Sequence, residues 1–437
     1  MRAVASLALA AAFVALAPSA PAADAKTVSA AIQKGGEFLR KQYSQGVPAQ
    51  QGGGEYGLGM TALSGLAMLE AGVKADDPAV KAVAEAVRKD SLTQTNTYHI
   101  ALCVIFLDRL GDRGDVPLLQ MLGVRLYAGM NGNGGWTYKC WENTQGAEAL
   151  LKSLQVNELS TKPKAEPKGG KDDGFLKPDA GAKANGLHPE VAKLLAAVHQ
   201  SIRTTGRGTG SGQSDDNSNT QFGIVGLWVA ARNGVPAKDA FALIEARFVL
   251  SQGRDGGWGY TGGSAGTGSS TPAMTCAGLL GLAVGRASRE TTEKKEPKKD
   301  LPADDEFFNP KKGDGEKADP LAKPKANGGA VGKAADAALR ALAGFVAGQQ
   351  GPRNGLQNFV GAGNGLYTLW SLERVCVGYG LDTLGGVDWY DWGANTILAM
   401  QQSDGSFSDG SYPAEVNTSF ALLFLCKSNF TKELGHK

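Results

Sequence analysis

Phe248-Val249-Leu250-Ser251-Gln252-Gly253-Arg254-Asp255-Gly256-Gly257-Trp258-Gly259-Tyr260 carries the unit from which the fold follows. Phe248 and Gln252 stand four apart, so on a helix they share one face. Glycines come next, and glycine permits the positive φ and tight reversal that end a helix. An aromatic residue closes the turn. The helix end recurs at Phe38 to Gln42, Phe345 to Gln349 and Ile397 to Gln401; Leu126 to Met130 keeps the spacing without the Gln. The turn recurs as Asn131-Gly132-Asn133-Gly134-Gly135-Trp136-Thr137-Tyr138, as Gln402-Ser403-Asp404-Gly405-Ser406-Phe407, and in degenerate form from Gln51 to Tyr56.

Each turn leads to a second kind of helix, rich in small residues and apolar nearly all round. Thr61 to Leu69, Tyr98 to Leu107, Phe222 to Trp228, Met274 to Leu282, Leu366 to Leu372 and Thr418 to Leu425 are its copies. Such helices are buried rather than superficial, and their Gly and Ala allow close approach of backbones. Pairs of helices begin near residues 30, 78, 115, 238, 333 and 388. Without the insertions each pair takes about 50 residues, a helical-hairpin repeat. The expected class is all-α, with buried helices alternating with amphipathic ones. Six pairs can close into a ring, which removes the exposed ends of an open solenoid. A further short helix is expected from Glu190 to Ile202.

Composition narrows the function classes. The 437 residues carry a net charge of +2, which argues against a dedicated nucleic-acid binder. The 61 glycines are about twice average usage, without a Gly-X-Y period. Arg2, the apolar run Val4 to Leu16 and the small-residue pattern Ala20-x-Ala22 read as a signal peptide over residues 1–23. The mature protein is therefore expected to be secreted or periplasmic. No later apolar run reaches the ~18 residues of a membrane span. Residues 24–430 form one expected domain, interrupted by polar insertions at 152–186 and 287–330 and followed by a tail at 431–437. The insertions read as surface decoration, with a protein or cell-envelope partner as the alternative. Of five cysteines, Cys103, Cys276, Cys376 and Cys426 lie in apolar contexts. No CxxC or His-x-x-x-His spacing occurs, so neither a disulfide framework nor a zinc site is expected.

Lys34-Gly35-x-x-Phe38-x-x-x-Gln42 and the Gln252 to Trp258 turn resemble the QW repeat of squalene and oxidosqualene cyclases. The array from about residue 30 to 430, minus the insertions, resembles the prenyltransferase and squalene cyclase repeat superfamily. That resemblance implies an (α/α)6 toroid in two concentric layers, with the Gln amide and the aromatic ring tying helices together. It does not carry the chemistry across. The Asp-x-Asp-Asp motif of the cyclases is missing; Ser214-Asp215-Asp216-Asn217-Ser218-Asn219-Thr220-Gln221 is the nearest stretch. Asp215 and Asp216 are the catalytic candidates, since adjacent carboxylates can share a proton. Equally, Asp and Asn before a helix are capping residues. Prenyltransferase zinc needs Asp-x-Cys and a His; the former is absent, and the four histidines are His99, His188, His199 and His436. Neither metal nor cofactor is expected. The thioester sequence Gly-Cys-Gly-Glu-Gln of complement-like toroids is also missing.

Polar residues recur where the buried helices start: Glu55, Tyr56, Asn96, His99, Asn219, Asn364, Tyr367, Glu415 and Asn417. In a ring all these starts face one mouth of a central cavity. Repetition suits capping, so the members without counterparts weigh more as site residues: His99, Asp215, Asp216, Glu373 and Glu415. Three functions are open at this stage. One is a binding or structural module with an unknown ligand in the cavity. The second is a terpenoid cyclase-like enzyme on an apolar ligand, with Asp215 or Asp216 as acid. The third is a glycan lyase or hydrolase, which requires carboxylates, or a Tyr and His, to converge.

Overall fold

The computed structural model describes residues 23–48, 57–140, 152, 186–207, 215–261, 270–293, 329–349 and 365–427. Thirteen α-helices account for most of the described residues. They are α1 (Ala25–Tyr43), α2 (Gly57–Glu70), α3 (Pro78–Asp90), α4 (Thr97–Leu110), α5 (Val116–Gly129), α6 (Pro189–Thr205) and α7 (Asn217–Arg232). Then follow α8 (Lys238–Ser251), α9 (Pro272–Glu293), α10 (Ala330–Gly348), α11 (Gly365–Tyr379), α12 (Trp389–Leu398) and α13 (Ala414–Leu425). Among the described residues the fold is all-α apart from one hairpin, β1 (Thr383–Leu384) and β2 (Val387–Asp388).

The helices are of two kinds. Apolar sequence all round makes α2, α4, α7, α9, α11 and α13 buried on nearly every face. Helices α1, α3, α8, α10 and α12 bury one face only, and α5 is covered by α6. Among the buried helices α2 packs on α4, α4 on α7, α7 on α9, α9 on α11, α11 on α13, and α13 on α2. The last and first units are joined again outside: Gln401 Nε2, at the end of α12, donates to Ala31 O of α1 at 3.0 Å.

The glycine turns that follow α5, α8 and α12 explain this packing. Trp136 Nε1 donates to Leu126 O at 2.9 Å and Trp258 Nε1 to Phe248 O at 3.1 Å, so each indole satisfies a carbonyl at its helix end. The backbone N–H of the aromatic donates to a threonine hydroxyl of the next buried helix: Trp136 to Thr220, Trp258 to Thr275, Phe407 to Thr418. Gln252 Nε2 spans its own turn and the next one-faced helix, donating to Gly256 O (2.8 Å) and Ala334 O (2.7 Å). Gly134, Gly256 and Gly405 take φ of 83°, 86° and 94°. A Cβ there would also lie 2.7, 2.7 and 2.6 Å from the carbonyl oxygens of Leu243, Ala337 and Lys34. Glycine is needed at this register twice over, for conformation and for space.

Three residues after the threonine, a second glycine admits the indole. A Cβ on Gly223 would stand 2.5 Å from the Trp136 ring, and one on Gly278 2.3 Å from that of Trp258. In the third copy the smaller Phe407 replaces Trp, and the same register holds Ala421. The buried helices thus carry a negative imprint of the turn aromatics.

Some boundaries differ from expectation. Helix α6 extends the expected Glu190–Ile202 segment at both ends, with His188 as its N-cap. Helix α9 continues to Glu293, inside the stretch expected to be insertion. The hairpin was not expected; Gly385-Gly386, with φ of 61° and 79°, supplies its two-residue turn. The expected signal peptide, 1–23, apart from Ala23, most of both insertions and the 431–437 tail lie outside the described residues. Among the described residues no helix is long and apolar enough to cross a membrane.

Candidate functional site

A cavity of about 740 Å³ lies where the six buried helices begin, and each contributes residues from its first two turns. That volume is within the range of about 300–1,000 Å³ typical of small-molecule pockets. Its lining is mainly apolar and strongly aromatic, including Tyr98, Tyr138, Phe222, Tyr260, Tyr367 and Phe420. Several rings support one another: Tyr98 meets Phe222 edge-on at 4.8 Å, and Phe222 and Tyr367 stack with centroids 6.3 Å apart. Tyr138 and Tyr260, each two residues after a turn tryptophan, join through their hydroxyls at 2.9 Å and stay about half exposed. Burial raises the pKa of both Tyr98 and Tyr260, so these phenols remain protonated donors at neutral pH.

Of the residues singled out from sequence, Asn96, His99 and Tyr367 line this cavity. Asn96 also caps α4, its Oδ1 accepting from the N–H of Tyr98 at 2.9 Å. His99 Nδ1 is 3.0 Å from Gln94 Oε1, and the ring packs over Gly59, where a Cβ would come within 2.5 Å of it. Glu55, Tyr56 and Asn364 lie outside the described residues.

The two aspartates are held in structural bonds, and neither is in the lining. Asp215 Oδ1 accepts from Arg247 Nη2 at 2.7 Å, and its Oδ2 from Asn131 Nδ2 and Asn133 Nδ2, both at 2.6 Å. Burial would raise its pKa, but Arg247 and the two amides hold it below the ordinary carboxylate range. Asp216 is the N-cap of α7; its oxygens accept from the backbone N–H and the amide of Asn219, both at 2.7 Å. Burial raises the pKa of Asp216. The pair therefore titrates apart, one aspartate joined to Arg247 and the other to a helix end.

Asn219, Asn417, Glu415 and Glu373 also lie outside the lining. Asn219 serves the Asp216 cap, and Asn417 Nδ2 donates to Tyr412 O at 2.9 Å. Glu415 sits in the first turn of α13, and its carbonyl accepts from Ser419. Glu373 is fully buried in α11 with neither carboxyl oxygen hydrogen-bonded, and burial raises its pKa well above the usual range. No aspartate or glutamate is found in the described lining. Among the described residues no group of three His, Cys, Asp or Glu is placed to hold a metal. All five cysteines are free.

The aromatic lining residues other than Tyr367 were not picked out from sequence, although a signal exists. Phe222 follows Asn219 by three residues, as Phe420 follows Asn417 and Tyr367 follows Asn364. Capping polarity draws attention to the Asn, whereas the aromatic one turn on faces the cavity. No protein-family model, curated protein or solved structure matches this chain.

Proposed function

We propose that this chain is a non-catalytic binding module, an (α/α)6 toroid that holds a predominantly apolar small molecule in its central cavity. The closed succession of helix contacts and the Gln401–Ala31 bond support the ring. The aromatic cavity of about 740 Å³ at the starts of the six buried helices carries the functional reading. Large apolar pockets with a few convergent polar groups are ligand sites, and here the polar groups are hydroxyls, two amides and an imidazole. Against cyclase-like catalysis stand the two aspartates, each engaged in structural bonds away from the lining. Against a glycosidase stands the lack of paired carboxylates in the described lining. The N-terminal signal segment supports an exported protein, and export suits a carrier or receptor for a poorly soluble molecule.

Fluorescence titration with the neutral apolar dye N-phenyl-1-naphthylamine tests this function. Saturable binding at one site is expected. Met274→Trp, which fills the cavity from α9, should weaken it at least tenfold with the circular dichroism spectrum unchanged. Saturable binding that Met274→Trp leaves intact would locate the dye elsewhere and remove the cavity from the proposal.

A further inference from the structure

A line of buried polar groups runs down from the cavity and ends in a charge. On α11, Tyr367, Ser371 and Arg374 stand at i, i+4 and i+7, on one helix face. Ser371 and Arg374 are fully buried, and Tyr367 lines the cavity. The Ser371 hydroxyl donates to Tyr367 O at 2.9 Å, and its oxygen accepts from Arg374 Nη2 at 3.2 Å. Its proton being engaged, the 3.1 Å contact with Gln221 must be donated by the amide nitrogen. The same Nε2 donates to the Tyr367 hydroxyl at 3.1 Å. Ser218 Oγ, also in the lining, is 2.8 Å from that hydroxyl, and Tyr98 is a further phenol of the lining. One bond joins the Ser218 and Tyr367 hydroxyls, and Tyr367 already accepts from Gln221. The proton left on that pair and the Tyr98 hydroxyl proton can both donate into the cavity.

Behind these hydroxyls Arg374 makes no ion pair with any described residue. Its Nε and Nη1 lack any acceptor, and Nη2 reaches only the Ser371 hydroxyl. The guanidinium lies 3.8 Å over the Trp370 ring and 5.8 Å from the ring of Phe222, a lining residue. Glu373, its chain neighbour, makes no bond to it, and burial raises the Glu373 pKa well above the usual carboxylate range. Burial pulls Arg374 down to about 10, still protonated at neutral pH. Buried polar groups are nearly always hydrogen-bonded, so two bare nitrogens on a buried cation call for a functional explanation.

We propose that the molecule held in the cavity is a long-chain carboxylate. Its carboxylate accepts the Tyr98 proton and the one left on the Ser218–Tyr367 pair, above Arg374, and its hydrocarbon lies among the cavity aromatics. This rests on the cavity-binding function and adds the head group. Arg374 acts as a positioning charge through the hydroxyls.

The test compares cis-parinaric acid with its methyl ester, the same fluorescent chain with and without the charge, at pH 8. The acid is expected to bind the native protein at least tenfold more tightly than the ester. Arg374→Met, which keeps the packing on Trp370, should bring that ratio near one while ester affinity holds. Arg374→Lys should retain part of it. Should Arg374→Met fail to fold by circular dichroism, Tyr367→Phe makes the same test from the other end, lowering the ratio at least threefold. Equal binding of acid and ester by the native protein overturns the head-group assignment and leaves the cavity function standing. So does a ratio that survives the folded variants. Failure of both probes together with the neutral dye overturns the cavity function as well.

Discussion

Asp215→Asn separates a structural aspartate from a catalytic one by the sign of its effect on stability. In the native protein the carboxylate faces Arg247 at 2.7 Å, with the two side chains 7% and 2% exposed, and two asparagine amides complete its shell. An Asn amide removes the charge and turns a donor toward one of these donors. Arg247 keeps only its 3.1 Å bond to Asn217. Breaking a buried pair by removing one partner costs about 3–5 kcal/mol; the surviving Asn217 bond places this case near the lower bound, about 3 kcal/mol. Replacement of a catalytic group kept for activity is instead neutral or stabilising. The assay is the urea midpoint, followed by circular dichroism at pH 7 and at pH 3.5. The sign of the pH effect follows from the lowered pKa of Asp215. Above the unfolded value of about 3.9 both states are ionised and the contribution is complete. As pH falls through the folded value the unfolded state has already bound its proton, and the contribution is lost. The difference between native and variant should therefore be large at pH 7 and smaller in acid. A loss under about 1 kcal/mol at pH 7, or a gain, would refute the structural role. Asp215→Leu combined with Arg247→Met should recover most of the loss, because no unpaired charge is left.

Two further predictions concern packing and pH. Gly278→Ala and Gly223→Ala each drive a methyl into a tryptophan ring, at 2.3 and 2.5 Å, and should lower stability by about 1–3 kcal/mol in thermal melts. Adding Trp258→Phe to Gly278→Ala should restore part of it, reproducing the Phe407 and Ala421 pairing; no recovery would show that the glycine serves something other than the indole. Glu373→Gln should raise the melting temperature at pH 7 to 8. The folded pKa of Glu373 is raised, so native stability falls by about 1.4 kcal/mol per pH unit between the ordinary carboxylate range and the folded value. A variant no more stable than the native protein at pH 8, or one whose advantage does not grow from pH 4 to pH 8, would rule out the neutral buried acid.

Most helices were legible because their signals are local. The Gln-to-aromatic turn, the all-apolar segments and the spacing of the pairs each lie within a few residues, and the helices start close to where that spacing puts them. The Gly385-Gly386 hairpin was equally local and went unread, since a two-residue strand has no periodicity to display. The site was legible in place but less so in membership. Helix starts do surround the cavity, yet only Asn96, His99 and Tyr367 among the chosen residues line it. Asp215, Asp216, Asn219 and Asn417 bear the same residue types and are engaged in capping and pairing, because capping and ligand binding use the same chemistry.

A repeated pair of helices, one buried and one amphipathic, and a glycine turn shaped around an aromatic ring can be read from residue order alone. Those features follow from the residues that a helix end and its turn require. Which of the buried polar groups are matched is settled by long-range packing. Arg247, on α8, finds Asp215 at a distance of 32 residues, while Arg374, on α11, finds no carboxylate and lies below the cavity hydroxyls. Both arginines occupy apolar helical stretches. What separates them is the rotation and depth of each helix against its neighbours, which is set by long-range packing and has no local signature.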